Sequence, residues 1–403
     1  MPWYYCFVVL FLLLPAVTSA LTLPDAVREA LTNNPSLAAA RAQIDAAAGR
    51  ATQSRLWPNP ELELSAEDVP TGGGGLSQSK NLIGLSQTVP FPGKKHFEAQ
   101  AGRHEVRLTE HKYRADEREL TRDVTAAFYR ALAAAQRVEI TRQLAELAES
   151  SATTAGKRVA AGGASSQEQL RAEVELERAR TDLRGRQRER TATQQDLARL
   201  LGRRDLADVA LAGTLADRVT IPLARQSIEA NPQLSAARSE RDRAESELRR
   251  ARLEPMPDVT LGAAIGRDGA FNETLAEFRV SLPLPLIDHG QGRRREARAL
   301  AAVARADMSG VEQHLLRDLA VAEEDLRAAA EQVAAYRDRI VPKAEEALRM
   351  VQAGFDAGKF GFLDLVDTQR TVAETRLGYL DKLLELNLAV ADIEALAGTQ
   401  PKE

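Results

Sequence analysis

The rhythm of apolar and polar positions changes several times along the chain, and each change predicts a new element. Up to about residue 57 the pattern is helical. Thr22 offers an N-cap, Pro24 and Asp25 fill the first turn, and Pro58 and Pro60 stop the helix after Trp57. Strict alternation follows: Leu62, Leu64 and Ala66 alternate with Glu61, Glu63 and Ser65, and Ile83, Leu85 and Val89 with Gly84, Ser86 and Thr88. These runs predict strands at about 60–69 and 81–90, joined as a hairpin through the glycine-rich, polar stretch 71–80. From about 94 to 155 no proline interrupts a second helical pattern, enough for about 90 Å of helix at 1.5 Å per residue. A glycine turn near 162 and a helix over 165–201 complete the series.

The series then repeats, and a repeat decides architecture before local propensity does. Pro35 and Pro60 recur as Pro232 and Pro257, both 197 positions on, and each Asn34-Pro35 or Asn231-Pro232 pair is followed by a similar Ala-rich segment ending in Arg41 or Arg238. Pro90-Phe91-Pro92 returns as Pro283-Leu284-Pro285, and Ala161-Gly162 and Leu201-Gly202 return as Ala357-Gly358 and Ala397-Gly398. Strands are predicted again at about 257–266 and 275–283, the latter with Ala276, Phe278, Val280 and Leu282 alternating with Glu277, Arg279 and Ser281; the second long helix, 292–353, contains Pro342. The chain divides into residues 1–20, a first repeat over 21–213 and a second over 214–403.

Two hairpins with one apolar face each have nothing else in the sequence to pair with or hide behind. In lipid a sheet must close, because open edges leave amides unsatisfied, and four strands of roughly 10 residues cannot close alone. Three copies give about 12 strands, within the range of membrane barrels. The predicted fold is mainly α with a membrane β-barrel part that several copies of the chain must close together, each long helix lined by a stacked pair of shorter ones.

Composition sharpens this picture. Of the 403 residues, aromatics make up 4% and charged residues 28%, a balance that suits long helices better than compact cores. The net charge of -4, with both signs interleaved, excludes a nucleic-acid surface. Residues 1–20 are uncharged, with an apolar run over 7–14 followed by Pro15, Thr18, Ser19 and Ala20, and read as an export signal cleaved after Ala20, although the usual basic start is missing. The single cysteine, Cys6, falls inside it, so the mature chain has none, as suits an oxidising compartment. The five histidines are scattered. His104 and His111 share a helix face seven residues apart, too far for one ion, and read as solvated; no phosphate loop or nucleophile elbow appears, so no enzyme, cofactor or metal site is expected.

The Asn-Pro pair of the first helix, the stretch Leu85-Ser86-Gln87-Thr88-Val89-Pro90-Phe91-Pro92-Gly93-Lys94 and the duplicated hairpin turn resemble the TolC family over about 22–398. That resemblance implies a homotrimeric duct in the outer membrane of a Gram-negative bacterium, a trimer forming a 12-stranded β-barrel on a long α-helical barrel. Its helical barrel would cross the periplasm toward a periplasmic adaptor and an inner-membrane pump, with outer-membrane lipid around its barrel. It implies passive efflux of metal ions, drugs or other small molecules. A type I protein-secretion duct is the alternative within channels, and a periplasmic adaptor or coiled-coil structural protein the alternative outside them. The resemblance also assigns sites. Gly162, Gly163, Gly358 and Lys359 fall in the turns where an adaptor docks. Glu168, Asp364 and Asp367 match acidic positions of the periplasmic gate, with Arg158 or Lys359 near enough in sequence to pair with them. The family's Tyr and Arg latch is replaced by Phe355 and Phe360, which points to an apolar constriction.

Overall fold

The computed structural model describes residues 20–73, 75–206, 209–218, 225–357 and 359–397. The predicted export signal lies outside the described residues, apart from Ala20. The repeat begins with α1 (Leu23–Asn33), whose N-cap Thr22 accepts the Asp25 amide as the sequence predicts, and continues as α2 (Pro35–Arg55). The single helix expected up to Trp57 is therefore two. Proline disfavours helical geometry at the residue before it, so Asn34 turns extended (φ -68°, ψ 122°) and its side chain caps α2 through the Ser36 amide.

Strands β1 (Glu61–Glu67) and β2 (Lys80–Val89) lead into α3 (Lys94–Ala160), a tight turn and α4 (Ser166–Leu200). The second repeat runs α5 (Pro232–Arg252), β3 (Val259–Asp268), β4 (Glu273–Ser281), α6 (Gln291–Ala335), a π-helical segment (Tyr336–Ile340), α7 (Val341–Asp356) and α8 (Phe362–Ala397). At 67 residues α3 is about 100 Å long. In total length it equals α1, α2 and α4, of 11, 21 and 35 residues, which pack along it. Asn34 Nδ2 donates to the Leu200 carbonyl (3.0 Å) and Asn231 Nδ2 to that of Leu396 (3.2 Å), so α4 abuts α2 and α8 abuts α5 end to end.

The helices meet through heptad-like seams. Over the second half of α6 the buried positions are Leu315, Leu319, Ala322, Leu326, Ala329 and Val333, alternating by four and three, and they face Leu386, Ala389, Ile393 and Ala397 of α8. Alanine dominates elsewhere, with Ala26, Ala30, Ala127, Ala131, Ala133 and Ala198 packed around Phe128 and Leu197, so neighbouring backbones come close. Arg137 of α3 bonds Glu189 of α4 (2.9 Å) and Asp381 of α8 (2.6 Å), tying both hairpins to one helix.

The four strands form one antiparallel sheet in the order β1-β2-β3-β4, so the two hairpins pair with each other across β2 and β3. The outer edges of β1 and β4 have no partner among the described residues. Register fixes the two faces, since alternate residues share a side. Leu62, Leu64, Ile83, Leu85, Leu261, Ala263, Ile265, Ala276, Phe278 and Val280 stand on one, with Phe278 87% exposed. Glu63, Glu67, Lys80, Ser86, Thr88, Thr260, Gly262, Glu277 and Arg279 stand on the other.

Candidate functional site

On its polar face the sheet carries two cross-strand ladders. Lys80 bonds Glu277 and approaches Glu67 at 3.5 Å; Glu63 accepts from Ser86 at 3.1 Å and from Arg279 at 3.1 Å. Gly262 lies between Ser86 and Arg279, leaving room for their side chains to meet the same carboxylate. Thr88 and Thr260 share a hydrogen bond of 2.9 Å. The charged groups of these ladders lie on the face opposite Leu62, Leu64, Ile83 and Leu85, and the one charge on the leucine face, Arg267, stands next to the end of β3; this is the arrangement of a wall with lipid on one side and water on the other. Among the described residues no helix is long and apolar enough to cross a membrane.

Far from the sheet, each long helix turns back on itself. The first turn is built on Gly162, whose φ of +73° is left-handed geometry that a side chain would strain. The Gly163 amide returns to the Arg158 carbonyl at 2.8 Å, and Ser165 caps α4 through the Glu168 amide at 3.3 Å. Gly163 is exposed, so the turn offers bare backbone at its tip. Of the two basic partners considered for the acidic residues, Arg158 makes the pair, reaching Glu168 at 3.3 Å; Lys359 stands exposed on the second turn.

The second turn repeats the closing bond of the first, Lys359 to Gly354 standing for Gly163 to Arg158, and adds a second amide to it. Gly358 lies outside the described residues. The amides of Lys359 and Phe360 both point to the Gly354 carbonyl, at 2.7 and 3.3 Å. Gly354 occupies the place of Arg158, and the Phe360 ring fills the space that a Cβ there would need. Asp364, the counterpart of Glu168, accepts the Gly361 amide at 2.9 Å and so acts as a helix cap. Asp367, one turn further, is exposed. Phe355 lies against Phe362 (ring centroids 6.5 Å apart), and Phe362, 6% exposed, is buried with Ala155 and Ala172 of the first hairpin. Phe355 and Phe362 therefore join the two hairpins, while Phe360 remains 46% exposed at the tip.

Above the tips, α4 and α8 leave a groove of about 1240 Å³ over α3. Leu147, Leu170, Val174, Phe362 and Val366 form its apolar floor, and Arg178, Glu173, Arg370 and Glu374 are among its charged lining. No cluster of three or more histidine, cysteine or carboxylate side chains among the described residues is placed to hold a metal. The expectation of solvated histidines fails at one position. His104 is 9% exposed and its Nδ1 has no partner, because α5 packs along this stretch of α3, and His111 is half-buried. Burial holds both imidazoles below their usual pKa.

Sequence reasoning missed the ladders and the two asparagine joints. Their signals were present, in the charges that alternate with the leucines of the strands and in the repetition of Asn-Pro.

Compared with known proteins, residues 26–203 and 223–399 both match the family model described as outer membrane efflux protein. The cobalt-zinc-cadmium resistance protein CzcC of Cupriavidus metallidurans is 28% identical over 381 residues, 94% of this chain and 90% of that one. The nickel and cobalt resistance protein CnrC of the same organism is 24% identical over 303 residues, 74% of this chain and 72% of its own. Among solved structures, the open state of the Neisseria gonorrhoeae MtrE outer membrane channel superposes with a TM-score of 0.80 at 20% identity, covering 93% of this chain and 88% of that one.

Proposed function

Since the chain belongs to the outer membrane efflux protein family, we propose how its parts divide the work of an exit duct. It is an outer-membrane channel and not an enzyme. Three copies join, β4 of one against β1 of the next, so that 12 strands close a barrel whose leucine face meets lipid and whose charged ladders face water. The helical hairpins extend the duct through the periplasm and end at a periplasmic adaptor, which links it to the inner-membrane pump that supplies the energy. The adaptor's helical tip docks at Gly162, Gly163, Gly358 and Lys359 and lies in the groove between α4 and α8, whose apolar floor and mixed-charge lining suit an amphipathic helix. The repeat boundary at 213/214 falls in the segment that joins the two hairpin systems.

At the mouth, Arg158, Glu168, Asp364, Asp367 and Phe360 form the periplasmic gate, with Phe355 holding the second hairpin against the first. The Arg158–Glu168 pair and the exposed Phe360 ring support this reading. The cargo is a divalent transition-metal cation, in keeping with the names of the cobalt-zinc-cadmium and nickel-cobalt resistance relatives. A duct needs no ligand site for such a cargo, because the pump selects it.

One observation carries the proposal: a four-stranded sheet with one greasy face, one charged face and two edges that have no partner among the described residues. The test is expression in a metal-sensitive Gram-negative host with the cognate adaptor and pump. A heat-resistant trimer in the outer-membrane fraction and restored tolerance to Co²⁺, Zn²⁺ or Cd²⁺ are expected. A monomer soluble without detergent overturns the channel; a trimer that restores drug tolerance alone overturns the metal cargo.

A further inference from the structure

From the two Asn-Pro pairs onward, one helix and two strands of each repeat match until the second long helix, where the match fails. In the first repeat α3 runs 67 residues without a break. In the second, the ladder loosens into a π-helical turn over Tyr336–Ile340, and Pro342 opens α7 directly after it. A proline removes an amide from the ladder and crowds the preceding turn, and a π-turn absorbs the mismatch by widening, which makes this the softest point of the helix. Below it hang α7 and the tip half of α8.

This soft point is tied from outside by the segment joining the repeats. Residues 209–218 are pinned at three levels. Leu21 and Leu211 form a parallel bridge, through Leu21 N to Ala210 O (2.8 Å) and Ala212 N to Leu21 O (2.9 Å). Leu215 is buried in the core with Phe128 and Leu380. Asn387 of α8, itself 3% exposed, grips both backbone groups of Ala216, accepting its amide at 3.1 Å and donating to its carbonyl at 3.0 Å. The next residue reaches the hinge: Arg337 Nη1 donates to the Asp217 carbonyl at 3.3 Å and lies 3.5 Å from its carboxylate, while Arg337 also bonds Asp338. On the other side of the same turn, the Tyr336 ring stacks on Tyr379 (6.4 Å, 13° between planes) and lies over Gly378, where a Cβ would come within 3.0 Å of the Tyr336 hydroxyl.

We infer that the segment joining the repeats is a strap that locks a hinge: Asp217, anchored through Ala216 to α8, holds Arg337 and so restrains the swing of the α7–α8 tip relative to α6. The anchor is rigid and the last contact is not. Asn387 is buried and doubly bonded to backbone, whereas Asp217 and Arg337 meet at the surface, where an ion pair is weak enough to break and re-form. Such a pair biases an equilibrium without freezing it. The inference rests on the gate proposed at the tips, since what the hinge would move is Phe360 and Asp364 on the second turn.

The test is single-channel recording of the purified trimer in planar bilayers, with Asp217→Asn, Arg337→Gln and the double variant, each first checked for heat-resistant trimer. Wild type is expected to switch between a low and a high conductance level. Each single variant should raise the high-to-low occupancy ratio about two- to fivefold for every protomer that moves, the range of one exposed ion pair. Arg337→Gln removes both the ion pair and the bond to the Asp217 carbonyl, whereas Asp217→Asn removes only the ion pair, so the double variant should add nothing beyond Arg337→Gln. Single variants indistinguishable from wild type, or a double variant whose effect is the product of the two, overturn the lock while leaving the gate intact. A wild-type trimer with one conductance level overturns the gate and the lock with it. To separate hinge from general loosening, Asn387→Ala should raise occupancy as well, whereas Glu385→Ala, two residues away on α8 and bonded to Lys382, should not.

Discussion

Asn34 and Asn231, at corresponding places in the two repeats, make the same two bonds: each caps its own helix two residues on, and each donates from Nδ2 to a carbonyl at the end of a helix more than 160 residues later. A carboxamide is suited to this joint because it accepts on one side and donates on the other. Aspartate would keep the cap and lose the donor. Asn34→Ala is expected to cost about 1–2 kcal/mol for the cap and the buried bond together, and Asn34→Asp a similar amount through a carboxylate facing the Leu200 carbonyl. Urea titration of the detergent-solubilised trimer measures this, and an aspartate variant as stable as wild type would show that the Leu200 bond contributes nothing.

The sheet gives a sharper prediction, because its register assigns every strand residue to a face. Phe278→Arg places a charge on the leucine side, at an expected cost of about 2–4 kcal/mol if the position lies at mid-membrane. Gly262→Ser lies one strand away on the opposite side, between Ser86 and Arg279, and should be tolerated. The yield of heat-resistant trimer in outer-membrane fractions compares them. Equal yields would mean that the leucine side does not face lipid.

How far these features were legible from residues alone depends on whether their cause is local. The strands were readable because period-two alternation is itself the cause of the two faces, and all four appear within three residues of their expected ends. The break at Asn34 was harder, since alanines continue a helical pattern on both sides and only the dipeptide marks it. The π-turn was half legible: Pro342 announces trouble, but whether a helix kinks, stops or widens depends on what packs around it. The grip of Asn387 on Ala216 was invisible, because it joins residues 171 apart through a segment with no regular structure. His104 misled for a related reason. Flanked by Arg103 and Arg107, it looks solvated in sequence, and only the packing of α5 along α3 reveals that its face is covered.

At the tips, the structure separates stability from function. The Arg158–Glu168 pair is 42% and 23% exposed in its side chains, so Glu168→Gln should change trimer stability by no more than about 1 kcal/mol. If the pair helps close the mouth, the same change raises single-channel conductance, and so does Phe360→Ala. Conductance unchanged in planar bilayers removes the altered residue from the gate.

Docking is tested at Gly162 by two substitutions. A Cβ at that position meets nothing within 4 Å, so Gly162→Ala carries little beyond the backbone strain of a left-handed residue, about 1–2 kcal/mol. Gly162→Trp carries the same strain and adds bulk that only a docked partner would feel. With trimer levels equal between the two, metal tolerance in the reconstituted host should fall for the tryptophan variant and persist for the alanine one. Equal tolerance would place the adaptor elsewhere.

His104 makes the packing of α3 against its neighbours sensitive to acid. Burial is the main cause of its lowered pKa; Asp242 of α5 opposes it, and Arg107, Arg103 and Arg249 add to it. Because the folded-state value lies below the ordinary 6.5, the unfolded chain takes up a proton first as pH falls. The contribution of this residue is fully present above about 6.5 and declines as pH drops through that value toward the folded-state one. His104→Leu removes the titrating group and also the Nδ1 that lacks a partner, so it should match or exceed wild-type stability at pH 7.5. Melting temperatures of the trimer from pH 8 to pH 5 are expected to diverge below about 6.5, wild type falling faster than the leucine variant. Curves that stay parallel throughout would assign acid sensitivity to other groups, half-buried His111 first among them.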